Sequence, residues 1–209
     1  MRVIRLAITP STQDVARRLP VGSAVVADHQ TSGRGRLGRA WDSPPGASLL
    51  ASFVLPFRDL ALFAAGVAAA RACGPEVRLK WPNDLYVEGQ KLAGLLAERH
   101  GDRCVVGIGI NLSWAPEGAA MLDRDREELL ADLAGELEDW FGATDEAILG
   151  AWRERSMTLG SWVRIELDGD RFEGLAEAIE NDGALIVGGR RVTVGDVVHL
   201  RPAPPLAAG

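Results

Sequence analysis

The chain has 209 residues, 47% of them hydrophobic and 25% charged, which is enough to bury a real core in one ordinary domain with a small appendage. Its formal net charge of −6 argues against a globally basic nucleic-acid binder, although residues 1–57 carry seven arginines against three aspartates. No apolar run reaches the length of a membrane span, and Arg5 interrupts the N-terminal MRVIRLAITP before a signal-peptide core can form; the chain reads as cytoplasmic, with no membrane partner.

In chain order, STQDVARRL opens on a Ser or Thr N-cap and has helical spacing, and VGSAVVADHQ has the β-branched run of a buried strand. The glycine loop GRGRLG, Gly33 to Gly38, comes next. Pro44, Pro45 and Gly46 exclude a helix after it, so the apolar run Ser48 to Leu55 is predicted to be another strand. LALFAAGVAAARACG is predicted to be a helix ended by Gly74 with Pro75 behind it. Strands are predicted for EVRLKW, for DLYVEGQKLAGLLAE folded about a turn at Glu88 to Gln90, and for RCVVGIGINLS. Amphipathic helices are predicted from Asp125 to Phe141 and from Asp145 to Arg155. Beyond a boundary near Leu159 come short strands parted by Asp168-Gly169, Asp182-Gly183 and Gly188-Gly189, the pattern of a small barrel, and RPAPPLAAG reads as a frayed tail.

Cys73 and Cys104 stand apart from each other and from His29, His100 and His199. That spacing suits neither zinc nor a disulfide framework, so two reduced buried thiols and no protein metal centre are expected. Of the 23 basic residues only Lys80 and Lys91 are lysines, and both fall in one short segment, where a compact ammonium can serve better than a planar fork.

GRGRLG fits the dinucleotide pattern G-x-G-x-x-G, but no helix starts after its last glycine to aim an N-terminus at a pyrophosphate. Asp59 sits near the spacing of a ribose-binding acid, yet it follows Pro56 and a loop. A protein kinase is excluded by length and by the absence of H-R-D and D-F-G. What remains is a flexible loop carrying Arg34, Arg36 and Arg39, with Trp41 beyond, whose backbone and guanidinium groups can approach an anion closely. A solvated turn is the bland alternative; three arginines interleaved with three glycines favour binding. Two further stretches stand out. In KWPNDL, Pro82 ends a strand and leaves Asn83 and Asp84 as a polar turn; in GIGINL, Asn111 closes a strand so rich in glycine that something else must approach its backbone.

STQD, DHQTSGRGRLGRAW, KWPNDLYVEGQKLAG and GIGINL, in this order, closely resemble the biotin protein ligases, from about residue 5 to residue 200. The resemblance implies an α+β fold: a mixed central sheet flanked by helices, like class II aminoacyl-tRNA synthetases, over residues 1–158, followed by a small SH3-like β-barrel over residues 159–209. It implies ATP-dependent conversion of biotin to biotinyl-5'-adenylate and transfer to a lysine of a biotin carboxyl carrier protein, with Mg²⁺ accompanying ATP. Because biotin supplies its own carboxylate, no protein nucleophile is needed, in keeping with the absence of a G-x-S-x-G elbow or a Cys-His pair.

By motif, Ser11, Thr12, Gln13 and Gln30 resemble the set that reads the ureido ring, and Gly33, Arg34, Gly35, Arg36, Lys91 and Gly94 complete the biotin site. Arg39, Trp41, Lys80, Asn83, Asp84 and Asn111 are expected at the nucleotide, and Arg36, Lys91 and Asp84 carry the catalytic assignments, Asp84 as acceptor or orienting group for the carrier lysine. Leu37 and Gln13 depart from the residues most common in the family. The motifs begin at Ser11, leaving no room for a DNA-binding helix-turn-helix, so no DNA partner is expected; both monomer and homodimer fit. Two other classes stay open: an acyl ligase acting on lipoate or another short acid, and a non-catalytic anion or nucleic-acid binder.

Overall fold

The computed structural model describes residues 1–167 and 170–200. The turn expected at Asp168-Gly169 and the tail expected from residue 201 onward lie outside the described residues. A seven-stranded mixed sheet has the order β1-β2-β3-β7-β6-β5-β4. It is built from β1 (Arg2–Thr9), β2 (Ser23–Gln30), β3 (Ser48–Pro56), β4 (Arg78–Lys80), β5 (Asp84–Val87), β6 (Gln90–His100) and β7 (Arg103–Asn111). β1 runs parallel to β2 and the other neighbours are antiparallel.

Sequence reading missed β1. Its RVIRLAIT places Arg2 and Arg5 among apolar residues and lies at the sheet edge, so the burial contrast that marks a half-buried strand is weak. The short helix α1 (Thr12–Ala16) makes the connection that parallel pairing of β1 and β2 requires.

The two faces of this sheet are covered differently. On one face pack α2 (Ala61–Cys73), α3 (Arg126–Gly142) and α4 (Asp145–Arg155). α2 is alanine-rich and buried almost all round, ending at Gly74 as expected. Asp125 caps α3 by accepting from the Glu127 and Glu128 amides, and Thr144 caps α4. Arg58 donates to the carbonyls of Trp140, Phe141 and Ala143, satisfying acceptors left over where α3 ends. On the opposite face α1 covers only one end, in a small cluster of Ala16, Val25, Val54 and Val105. Period-two alternation carries the strands from that cluster to positions beyond the reach of α1: Val54 leads to Ser52 and Leu50, and Val105 to Gly107 and Gly109. The site lies there.

The later strands form a five-stranded antiparallel sheet, order β11-β10-β9-β8-β12. Its strands are β8 (Trp162–Leu167), β9 (Asp170–Ile179), β10 (Leu185–Val187), β11 (Arg190–Val192) and β12 (Asp196–His199), with the expected turns at Asp182-Gly183 and Gly188-Gly189. Val163, Ile165, Ile179 and Leu185 join the same buried cluster as α2. Trp81 crosses the junction: its indole Nε1 donates to Gly183 O at 2.9 Å, and its backbone N–H to Thr158 Oγ1 at 3.0 Å. Cys73 and Cys104 are free, buried thiols, pushed up by burial to about 12 and about 11 respectively. No helix among the described residues is long and apolar enough to cross a membrane.

Candidate active site

The glycine loop is a small hairpin on itself. Gly35 N–H donates to Arg39 O at 2.7 Å and Trp41 N–H to Gly33 O at 2.9 Å, with one 3₁₀ turn at Arg36–Gly38. Gly33 is required by space: a Cβ there would stand 2.2 Å from Trp41 O. As the sequence indicated, no helix follows. Side chains fasten the hairpin outward: Arg34 reaches Asp14 at 3.1 Å and Glu98 at 3.6 Å, Arg36 donates to Asn83 Oδ1 at 3.1 Å, and Arg39 pairs with Asp196.

Beneath the hairpin the sheet presents bare backbone. In GIGIN, Ile108 and Ile110 turn into the core while Gly107 and Gly109 face the cavity. A Cβ on Gly107 would stand 3.1 Å from Gln13 Nε2, and one on Gly109 would stand 2.5 Å from the Trp41 ring. Gly94, opposite Gly109 across the strands, would meet the same ring at 3.0 Å. The something that approaches this backbone is therefore the protein's own Gln13 and Trp41. Lys91 lies beyond, its Nζ 5.9 Å from the Trp41 ring centroid and 2.7 Å from Asp84 Oδ1.

At the Gly107 end the polar groups have assigned directions. Thr12 N–H and Thr12 Oγ1 reach one Gln30 atom at 2.7 and 2.9 Å; a backbone N–H can only donate, so that atom is the amide oxygen and Nε2 remains free to donate elsewhere. Ser52 Oγ lies 2.7 Å from Thr12 Oγ1; since Thr12 spends its proton on Gln30, Ser52 is the donor. Gln13 Nε2 donates to Leu96 O at 3.2 Å, leaving Gln13 Oε1 buried without a partner. Ser11 occupies the N-cap position of α1 but makes no capping bond, so its hydroxyl is not committed to the helix.

At the other end the groups are cationic. Burial pulls the Arg36 guanidinium below its usual range, opposed by the fields of Asp196 and Asp84. Burial likewise pulls Lys80 down, opposed by the same two carboxylates.

One cavity brings together Ser11, Thr12, Gln13, Gln30, Arg34, Gly35, Arg36, Arg39, Trp41, Asn83, Asp84, Lys91 and Gly94. Three expected residues stand off its wall. Gly33 shapes the hairpin from behind, Lys80 donates to Tyr86 OH at 3.2 Å, and Asn111, 3% exposed, donates to Ala120 O at 3.1 Å. Sequence reasoning passed over Ser52, Leu50, Leu96 and Asp196. The first three belong to strands that read only as core. Asp196 comes from the other sheet, 112 positions after Asp84 in sequence, with no local signal.

Residues 5–113 match the model of the Biotin/lipoate A/B protein ligase family, and residues 158–200 that of the Biotin protein ligase C terminal domain. A biotin-[acetyl-CoA-carboxylase] ligase of Mycobacterium tuberculosis is 38% identical, over 86% of this chain and 80% of its own length. One of Paracoccus denitrificans is 34% identical over 88% and 93%. A biotin protein ligase of Aquifex aeolicus, solved in complex with biotin and ATP, aligns with a TM-score of 0.83 at 28% identity, covering 96% of this chain and 99% of that one.

Proposed function

Because this chain belongs to the biotin/lipoate A/B protein ligase family, we propose that it is a biotin-protein ligase: it adenylates biotin with ATP and transfers the biotinyl group to a lysine of a biotin carboxyl carrier protein of the acetyl-CoA carboxylase type. The family name leaves biotin or lipoate open. The observation that carries the choice is the pairing of a buried amide oxygen without a partner, Gln13 Oε1, with an amide donor, Gln30 Nε2, in one cavity. A cyclic urea offers N–H groups to the first and a carbonyl to the second. A dithiolane ring offers neither, and would leave both polar groups dry at a cost of about 1–3 kcal/mol each.

In the first half-reaction a biotin carboxylate oxygen attacks the α-phosphorus of ATP, and the bond to pyrophosphate breaks. Arg36 and Lys91 bring two anions together and neutralise charge that gathers on the phosphate oxygens. Asp84, 2.7 Å from Lys91 Nζ, holds that ammonium in place. In the second, the carrier lysine's amine attacks the acyl carbon and AMP departs; Asp84 is assigned to orient the amine or take its proton. Trp41, with its buried Nε1 unpartnered, covers the ligand from the loop side. Among the described residues no three His, Cys, Asp or Glu side chains converge as a metal cage. Mg²⁺ would enter with ATP, with Lys80, Asn83 and Asp84 facing the nucleotide and its ion, and would offset phosphate charge; no step is routed through it. We assign the catalytic unit to residues 1–158 and the smaller unit to residues 159–209; the separation of the described strands into two sheets supports that division.

Pyrophosphate release from ATP and Mg²⁺, measured with biotin, with lipoate and with neither acid, tests this reading. Release is expected with biotin alone. Equal release with lipoate, or release that needs no acid, overturns it.

A further inference from the structure

The cavity wall comes from the seven-stranded sheet and its connecting turns, α1 and the arginine loop, with one exception among the described residues: Asp196, the first residue of β12 in the other sheet. Its carboxylate pairs with Arg39 at the end of the loop, and its field also reaches Arg36 and Lys80. At the far end of the same strand, His199 Nε2 lies 3.4 Å from Thr158 Oγ1, the group that accepts the Trp81 backbone N–H. β12 thus touches the arginine loop with its first residue and the anchorage of the K-W-P-N-D stretch with its last.

A carboxylate on the wall of a nucleotide site repels phosphate unless a cation claims it. Here Arg39 does, and the consequence is mechanical. The loop tip is solvent-exposed, Leu37 at 68%, so the hairpin stays over the cavity only as well as its outward ties hold it. Asp196, whose side chain is 22% exposed, is, among the described residues, the one tie that leads to the C-terminal sheet.

We propose that Asp196 is a positioning residue which, through Arg39, fastens the arginine loop to the C-terminal sheet and so retains the acyl-adenylate between the two half-reactions. This rests on the ligase reading above.

The test uses the full chain loaded with labelled biotin, ATP and Mg²⁺, with pyrophosphatase present and no carrier protein. Dissociation of labelled adenylate is followed during a chase with excess unlabelled biotin. Asp196→Asn is expected to release it about fivefold faster, the effect of losing one partly screened ion pair. Its KM for ATP is expected not to rise, because a negative charge has left an anion site, and its melting temperature to stay at the wild-type value. The charge-reversed pair, Arg39→Asp with Asp196→Arg, is expected to hold adenylate longer than either single reversal. Should Asp196→Asn not fold, Asp196→Ser removes the same carboxylate and leaves Arg39 in place, with the same faster release expected. A wild-type dissociation rate in the neutralised variant, no recovery in the reversed pair, or a raised KM together with a lowered melting temperature overturns the proposal. A wild-type enzyme that makes adenylate while the variants retain it normally sinks this inference alone; a wild-type enzyme that makes none from biotin sinks the ligase reading first.

Discussion

The two stretches that deliver charge to the cavity are held in opposite ways. K-W-P-N-D is locked from behind: Trp81 is 2% exposed and bonded to Gly183 and Thr158, and Asn83 Nδ2 donates to Leu95 O at 2.8 Å. G-R-G-R-L-G-R is held only from its sides, by side-chain bonds of Arg34, Arg36 and Arg39 around a self-paired hairpin. One is wall and the other is cover. A reaction that must admit two anions and then seal an unstable mixed anhydride needs both, a surface that keeps its geometry and a segment that can be released by exchanging a few polar contacts.

The contrast can be broken most severely at the wall. Trp81→Ala removes a buried indole at the junction of the sheets and leaves Gly183 O without its donor, so a loss of about 3–5 kcal/mol is expected in urea unfolding, with activity falling alongside. At the cover the same truncation should separate stability from chemistry. Arg36→Ala is expected to lower the rate of pyrophosphate formation about 10²- to 10³-fold while leaving the urea midpoint unchanged. An Arg36→Ala protein that unfolds as early as Trp81→Ala would erase the distinction. The smallest effect sharpens it from the wall side, through pH. Burial, helped by Lys80, holds the His199 imidazole below its usual 6.5. The unfolded chain therefore binds that proton first, and stability is expected to fall as pH drops below 6.5. His199→Gln should flatten that part of the stability profile and leave the adenylate dissociation rate at neutral pH unchanged.

Much of this was legible wherever one element declared itself locally. The end of α2 at Gly74, the span of α4 and the turns at Asp182-Gly183 and Gly188-Gly189 follow from caps and glycines, and the motif residues from Ser11 to Gly94 do converge, apart from Gly33, which backs the hairpin, and Lys80. Illegible features were those that only assembly creates. β1 counts as a strand because β2 pairs with it, not because its own residues alternate. Ser52 looks like core until Thr12 arrives 2.7 Å away. Asn111 was expected at the nucleotide because the family resemblance implies it; what no nearby sequence announces is the bond its Nδ2 makes to Ala120 O, a loop contact.

The floor made of Gly94, Gly107 and Gly109 has a consequence for redesign. A surface that presents only peptide planes has nothing left to trim, so any substitution there adds bulk and shrinks the room shared by ligand, Gln13 and Trp41. Enlarging the pocket for a longer acid must be done from the roof or at flanking side chains such as Leu50 and Leu96, and the glycines can serve only to make the enzyme choosier.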